Sequence, residues 1–117
     1  MVQKQKRHEL WFSALGVAEL MSGLAIMPDG QRKIRMAIDV RSEITRLFGG
    51  RILPFDEEAA HAYASIHARM RKSGRGMETI DSQIAAIAEA RKLVIATRDV
   101  TPFRDAGLEV INPWMDE

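Results

Sequence analysis

Three acidic residues of this 117-residue chain interrupt apolar stretches. Glu19 lies in V-A-E-L, Asp81 in T-I-D-S-Q-I-A-A-I-A, and Asp99 in A-T-R-D. Glu19 and Asp81 fall near the start of segments with helical patterning, and Asp99 directly follows a short apolar run. In an open α/β sheet the strands end and the helices begin on one common side, where ligands bind. Carboxylates gathered there repel one another unless something neutralises them, and the natural neutraliser is a hard divalent cation held through oxygen. Mg²⁺ takes one or two carboxylates, keeps several waters, polarises a phosphoryl oxygen and lowers the pKa of an attacking water. That chemistry needs no serine, cysteine or histidine nucleophile. The plainer reading stays open beside it. An acid in the first helical turn stabilises the helix dipole, and an Asp after a strand is a common turn residue.

Other residue types offer less. There is no cysteine, which removes disulfides, thiolate metal sites and a cysteine nucleophile. His61 and His67 are six apart, a spacing that does not share one helical face, and His8 sits in a polar leader. Arg69, Arg71, Lys72, Arg75 and Arg98 are candidates for phosphate contacts or simply a solvated basic face. Met21, Met27, Met36 and Met70 suit a core or an interface, and Trp11 and Trp114 suit packing. The 17 basic and 16 acidic residues leave a net charge of +1, so composition announces no strongly basic surface. The 46% hydrophobic and 28% charged fractions are those of a globular chain. No apolar run approaches the roughly 18 residues of a membrane span, and Met1 to Leu10 is not a signal peptide. The expectation is one cytoplasmic domain over residues 1–117, with 1–8 as leader and no membrane partner.

The elements that must position the acids follow from periodicity. A short strand is expected over 9–14. A helix over 17–27 has apolar Val17, Leu20, Met21, Leu24 and Met27, with Ser13 or Gly16 as N-cap. Pro28-Asp29-Gly30 breaks it. A helix over 31–48 buries Ala37, Val40, Ile44 and Leu47 and stops at Gly49-Gly50. A strand over 51–55 is limited by Pro54. Asp56 caps a helix to Lys72 that places Ala60, Tyr63, Ala64, His67 and Met70 on one face. Ser73 to Gly76 is a basic loop. Thr79 caps a helix to Arg91, thinned by Ala85, Ala86 and Ala90 and striped with Ile80, Ile84, Ile87 and Ala88. Leu93 to Thr97, without polar alternation, reads as a strand buried on both faces. A loop or turn over 98–107 and a strand over 108–111 complete the order. Helices between short apolar strands imply an α/β fold with a parallel sheet.

The ordered blocks V-A-E-L-x-x-G-L, G-R-I-L-P-F-D, I-D-S-Q-I-A-A-I-A, A-T-R-D and V-I-N-P-W, from Ser13 to Trp114, resemble PIN-domain ribonucleases of the VapC/FitB toxin type. The resemblance implies a short parallel sheet flanked by helices on both faces. It implies four acids that bind Mg²⁺ or Mn²⁺ and cleave RNA, three of them matching Glu19, Asp81 and Asp99. Thr97 resembles a hydroxyl that supports the site, and Arg75 and Arg98 are expected RNA contacts. A small antitoxin and a homodimer are the implied partners, the dimer through the helices at 17–27 and 31–48. The family's first acid belongs to a D-T-N-like motif on an opening strand. No such motif precedes Glu19, so the expectation is an N-terminally truncated fold whose first strand is encoded upstream of Met1. Two further readings remain: a catalytically impaired PIN remnant that acts by binding an antitoxin or other protein, and a PIN nuclease directed at DNA.

Overall fold

The structure, a computed structural model, describes residues 11–97 and 99–112. The described chain forms two compact units that divide between Pro54 and Phe55.

The first unit contains β1 (Phe12–Ser13), α1 (Ala14–Ala25), α2 (Gln31–Phe48) and β2 (Ile52–Leu53). Ser13 caps α1 as expected: its side-chain oxygen accepts from the Gly16 N–H at 2.9 Å. The Phe12 ring lies over Gly16 so closely that a Cβ there would sit 2.6 Å from it. Phe12 also stacks on Phe48, centroids 4.9 Å apart and planes within 7°. These two contacts tie both helices to β1. β1 pairs in parallel with β2, Phe12 opposite Ile52 and Ser13 opposite Leu53, and β2 ends before Pro54. The expected stripe of α2, Ala37, Val40, Ile44 and Leu47, is only half-buried, and no residue of this helix is fully buried.

The second unit contains α3 (Glu57–Lys72), α4 (Thr79–Arg91), β3 (Ile95–Ala96), α5 (Thr101–Asp105) and β4 (Val110–Ile111). Asp56 caps α3, accepting from the Ala59 N–H at 3.0 Å, and its other oxygen pairs with Arg91 at 2.9 Å. The buried row of α3 is Ala59, Ala62, Tyr63, Ile66 and Met70; of the expected face it keeps Tyr63 and Met70, while Ala60, Ala64 and His67 are exposed. Ala59 and Ile66 each lie one position, about 100°, from the expected Ala60 and His67, and tertiary packing selects the side carrying Ile66. That residue is fully buried, a burial worth about 1.5–3 kcal/mol. α3 packs chiefly on α4, where Ala85 and Ala86 have no exposed surface. Short alanines let the two helices approach, so the thin face expected from the sequence meets a helix. Thr79 is the first residue of α4 rather than its cap, which is Glu78. Arg69 bridges the unit: it pairs with Glu89 at 2.7 Å and donates to the Ala106 carbonyl at 2.6 Å.

β3 and β4 pair in parallel, Ile95 opposite Val110 and Ala96 opposite Ile111. The parallel pairing agrees with the α/β expectation. The hydrogen-bonded ladder consists, among the described residues, of two two-stranded pairs, one in each unit. β3 is not buried on both faces: Ile95 joins the core with Met70, Phe103 and Val110, while Val94 and Ala96 are exposed. α4 and α5 cover one side only, so alternate residues of an all-apolar strand meet solvent.

Three helices of this unit end in the same six-to-one turn. After α3, Arg75 N–H reaches the Met70 carbonyl at 3.0 Å with Gly74 at φ +74°. After α4, Leu93 N–H reaches Ala88 at 2.9 Å with Lys92 at φ +58°. After α5, Leu108 N–H reaches Phe103 at 3.1 Å.

Candidate functional site

Asp81 lies in the first turn of α4 and Asp99 just beyond the end of β3. The unit therefore delivers one carboxylate from a helix start and one from a strand end. Partial burial pushes the Asp81 carboxyl above its ordinary value, and the negative charges of Glu78 and Asp99 push it further. Asp81 thus senses Asp99 as a neighbour across 18 positions of sequence. The hydroxyl of Thr97 accepts a hydrogen bond from the Asp99 backbone N–H at 3.1 Å, which fixes the turn that carries this acid.

Glu78 is a carboxylate that the sequence reading passed over. Its signal was present: Glu78 and Asp81 are three apart, the spacing of helical neighbours. Glu19 is an exposed residue of α1 in the first unit. Among the described residues no three His, Cys, Asp or Glu side chains cluster tightly enough to hold a metal ion. The second unit brings together Asp81 and Asp99, with Glu78 near the former. A pair fits a hard cation by the chemistry of its donors. A pair of neighbouring carboxylates is a set that Mg²⁺ accepts while keeping several waters.

The expected RNA contact Arg75 pairs with Asp105 at 2.7 Å. Arg98 lies outside the described residues, as do His8 and Trp114. His61 pairs with Glu57 on the surface at 3.6 Å. No helix among the described residues is long and apolar enough to cross a membrane.

The PIN domain family matches residues 2–107. The chain is 42% identical over 113 residues to the VapC ribonuclease Y4jK of Sinorhizobium fredii, which covers 97% of this chain and 81% of that protein. It is 40% identical over 108 residues to the toxin FitB of Neisseria gonorrhoeae, covering 92% of this chain and 78% of the toxin. The crystal structure of FitAcB from Neisseria gonorrhoeae superposes with a TM-score of 0.85 at 39% identity, over 92% of this chain and 77% of that one. A parallel α/β fold with acids at a helix start and a strand end defines the class, and the chain belongs to the PIN-domain family, with VapC and FitB toxins among its relatives.

Proposed function

We propose that this protein is a divalent-metal-dependent endoribonuclease, the toxin of a toxin–antitoxin pair. The observation that carries the reading is the Asp81–Asp99 pair, in which burial first and then the charges of Glu78 and Asp99 disfavour the ionised form of Asp81. A repulsive pair of this kind is costly to a fold and is retained where a cation relieves it. Asp81 and Asp99 are the residues that would hold Mg²⁺ or Mn²⁺, and the family resemblance gives Glu19 the same role. Thr97 keeps Asp99 in place through the hydrogen bond to its backbone. Bound there, the cation supplies Lewis-acid polarisation of the scissile phosphate and a lowered pKa for the attacking water. Arg75 adds positive charge for the RNA backbone. Support for RNA as substrate comes from the relative named as a VapC ribonuclease, and support for the toxin role from FitB.

The partners in this reading are a small antitoxin and a second copy of the chain. α1 and α2 expose Leu20, Ile34 and Ile38 and enclose an apolar cleft of about 310 Å³ between Phe12, Val40, Ile44 and Phe48. Surfaces of this kind are covered in stable assemblies. A ribonuclease toxin acts where its RNA is, in the cytoplasm.

The test is Asp81→Asn, which removes the charge with almost no change of volume. Cleavage of single-stranded RNA should need Mg²⁺ or Mn²⁺, stop with EDTA, and be lost in the variant with its circular dichroism unchanged. Cleavage that survives both treatments rules the metal mechanism out. A second reading, a catalytically impaired chain that acts by binding a protein, is favoured by the absence of a three-carboxylate cluster among the described residues. A calorimetric Mn²⁺ titration separates the two, since the impaired chain gives no saturable heat.

A further inference from the structure

The end of α3 turns back on itself. The six-to-one turn at Gly74 brings Arg75 over the helix end, where a cavity of about 160 Å³ opens among His67, Met70, Arg71, Arg75, Met77 and Ser82. Its apolar surface comes from Met70, buried, and Met77, half-buried. The His67 imidazole stacks on Tyr63, centroids 6.1 Å apart and planes within 17°, and Tyr63 in turn meets Phe55 edge to face. The imidazole is therefore held as a flat wall. Ser82, which immediately follows Asp81 in α4, brings the first turn of that helix to the cavity wall. Arg75 spends one nitrogen on Asp105, and the Arg71 side chain has no hydrogen bond or ion pair among the described residues.

The size excludes a drug-sized ligand, which needs roughly 300 Å³ or more. The lining excludes a purely apolar guest, because two guanidinium groups would lose solvent without gaining acceptors. A flat ring, two polarisable thioethers and guanidinium planes are surfaces that receive the face of an unpaired base. Guanidinium carries donors only, in a fork that matches two adjacent acceptors, and guanine offers such a pair at O6 and N7.

We infer that this cavity binds one unpaired guanine of the RNA strand. Arg71 is its specificity-determining donor and His67 its stacking wall. The inference rests on the ribonuclease reading and deepens it by naming the base that the strand presents.

The test uses the full chain and four single-stranded pentamers, U-U-X-U-U, with X each of the four bases. Initial cleavage rates with Mn²⁺ should favour X = G by about tenfold, within the range of a bidentate arginine–guanine pair. Arg71→Gln should bring the four rates to within about twofold of one another. His67→Ala should weaken KM for the G-containing strand more than kcat. Mn²⁺ affinity and melting temperature, read on the same samples, should not move, which excludes a merely structural effect. Rates that do not depend on X, or a preference for G that survives both variants, overturn the guanine pocket and leave the nuclease standing. No cleavage of any pentamer by the unaltered chain overturns the nuclease reading, and the pocket with it.

Discussion

The backbone N–H of Asp99 donates to the hydroxyl of Thr97 at 3.1 Å, two residues earlier in the chain. Thr97 in turn hangs on β4, its own N–H bonded to the Ile111 carbonyl at 3.0 Å. Asp99 is exposed and its side chain makes no ion pair among the described residues, so this short linkage is what carries the order of the sheet to the acid. Thr97→Val keeps the shape and removes the acceptor. Mn²⁺ affinity should fall by about tenfold, the lower end for loss of a group that orients a ligand, and Thr97→Ser should restore most of it. Unchanged calorimetric affinity in the valine variant would deny Thr97 a supporting role.

The raised proton affinity of Asp81 makes the site a cost to the metal-free fold. Between the unfolded value and the higher folded value, the native chain holds a proton that the unfolded chain has released. Stability of the metal-free protein therefore declines as pH climbs through that window, from roughly pH 4 upward. Asp81→Asn stays neutral throughout. It should melt higher than the unaltered chain at neutral pH in EDTA, and the difference should shrink toward pH 4. A variant that melts lower at neutral pH would mean that the Asp81 carboxylate is stabilised rather than strained.

Lys92 ends α4 in the left-handed conformation, at φ +58°, where the two other helices with this turn use Gly74 and Gly107. A side chain there costs about 1–2 kcal/mol, partly offset by the entropy that a glycine loses on folding. Lys92→Gly should raise stability by about 0.5–1 kcal/mol in urea titration. Lys92→Val should lower it, because β-branching suits this conformation least.

The exposed row on α2 gives the association proposal its handle. Ile38 is 59% exposed although its helix belongs to a packed unit. Multi-angle light scattering should find a dimer at concentrations on the order of tens of micromolar. Ile38→Asp should give a folded monomer, since a carboxylate cannot be desolvated in that contact without a partner. A monomeric unaltered chain at the same concentration removes α1 and α2 as a dimer surface.

Much of this protein was legible in its sequence because the forces involved are local. Ser13 and Asp56 cap their helices through bonds to residues three positions ahead, and a cap of that reach depends only on neighbouring residues. Pro54 ends β2 for want of an N–H, and the alanines of α4 announced close packing before any partner was known. The ordered motif blocks named the family and pointed to Asp81 and Asp99.

What the tertiary structure decided is what depends on residues far apart in the chain. Helical periodicity allowed the buried row of α3 to run through Ala60 and His67 or through Ala59 and Ile66. The contact with α4 chose the second and left His67 free to line a cavity. The apolar run at 93–97 has no alternation to read, so only packing shows that Ile95 is covered while Val94 and Ala96 are not. Glu78 and Asp99 act on Asp81 through space, and Arg71 and Arg75 share a cavity with Ser82 because a turn at Gly74 folds the loop back. Sequence patterns report which residues can be buried or capped. Coulomb repulsion and cavity shape depend on distances between side chains, and those exist only once the chain has packed.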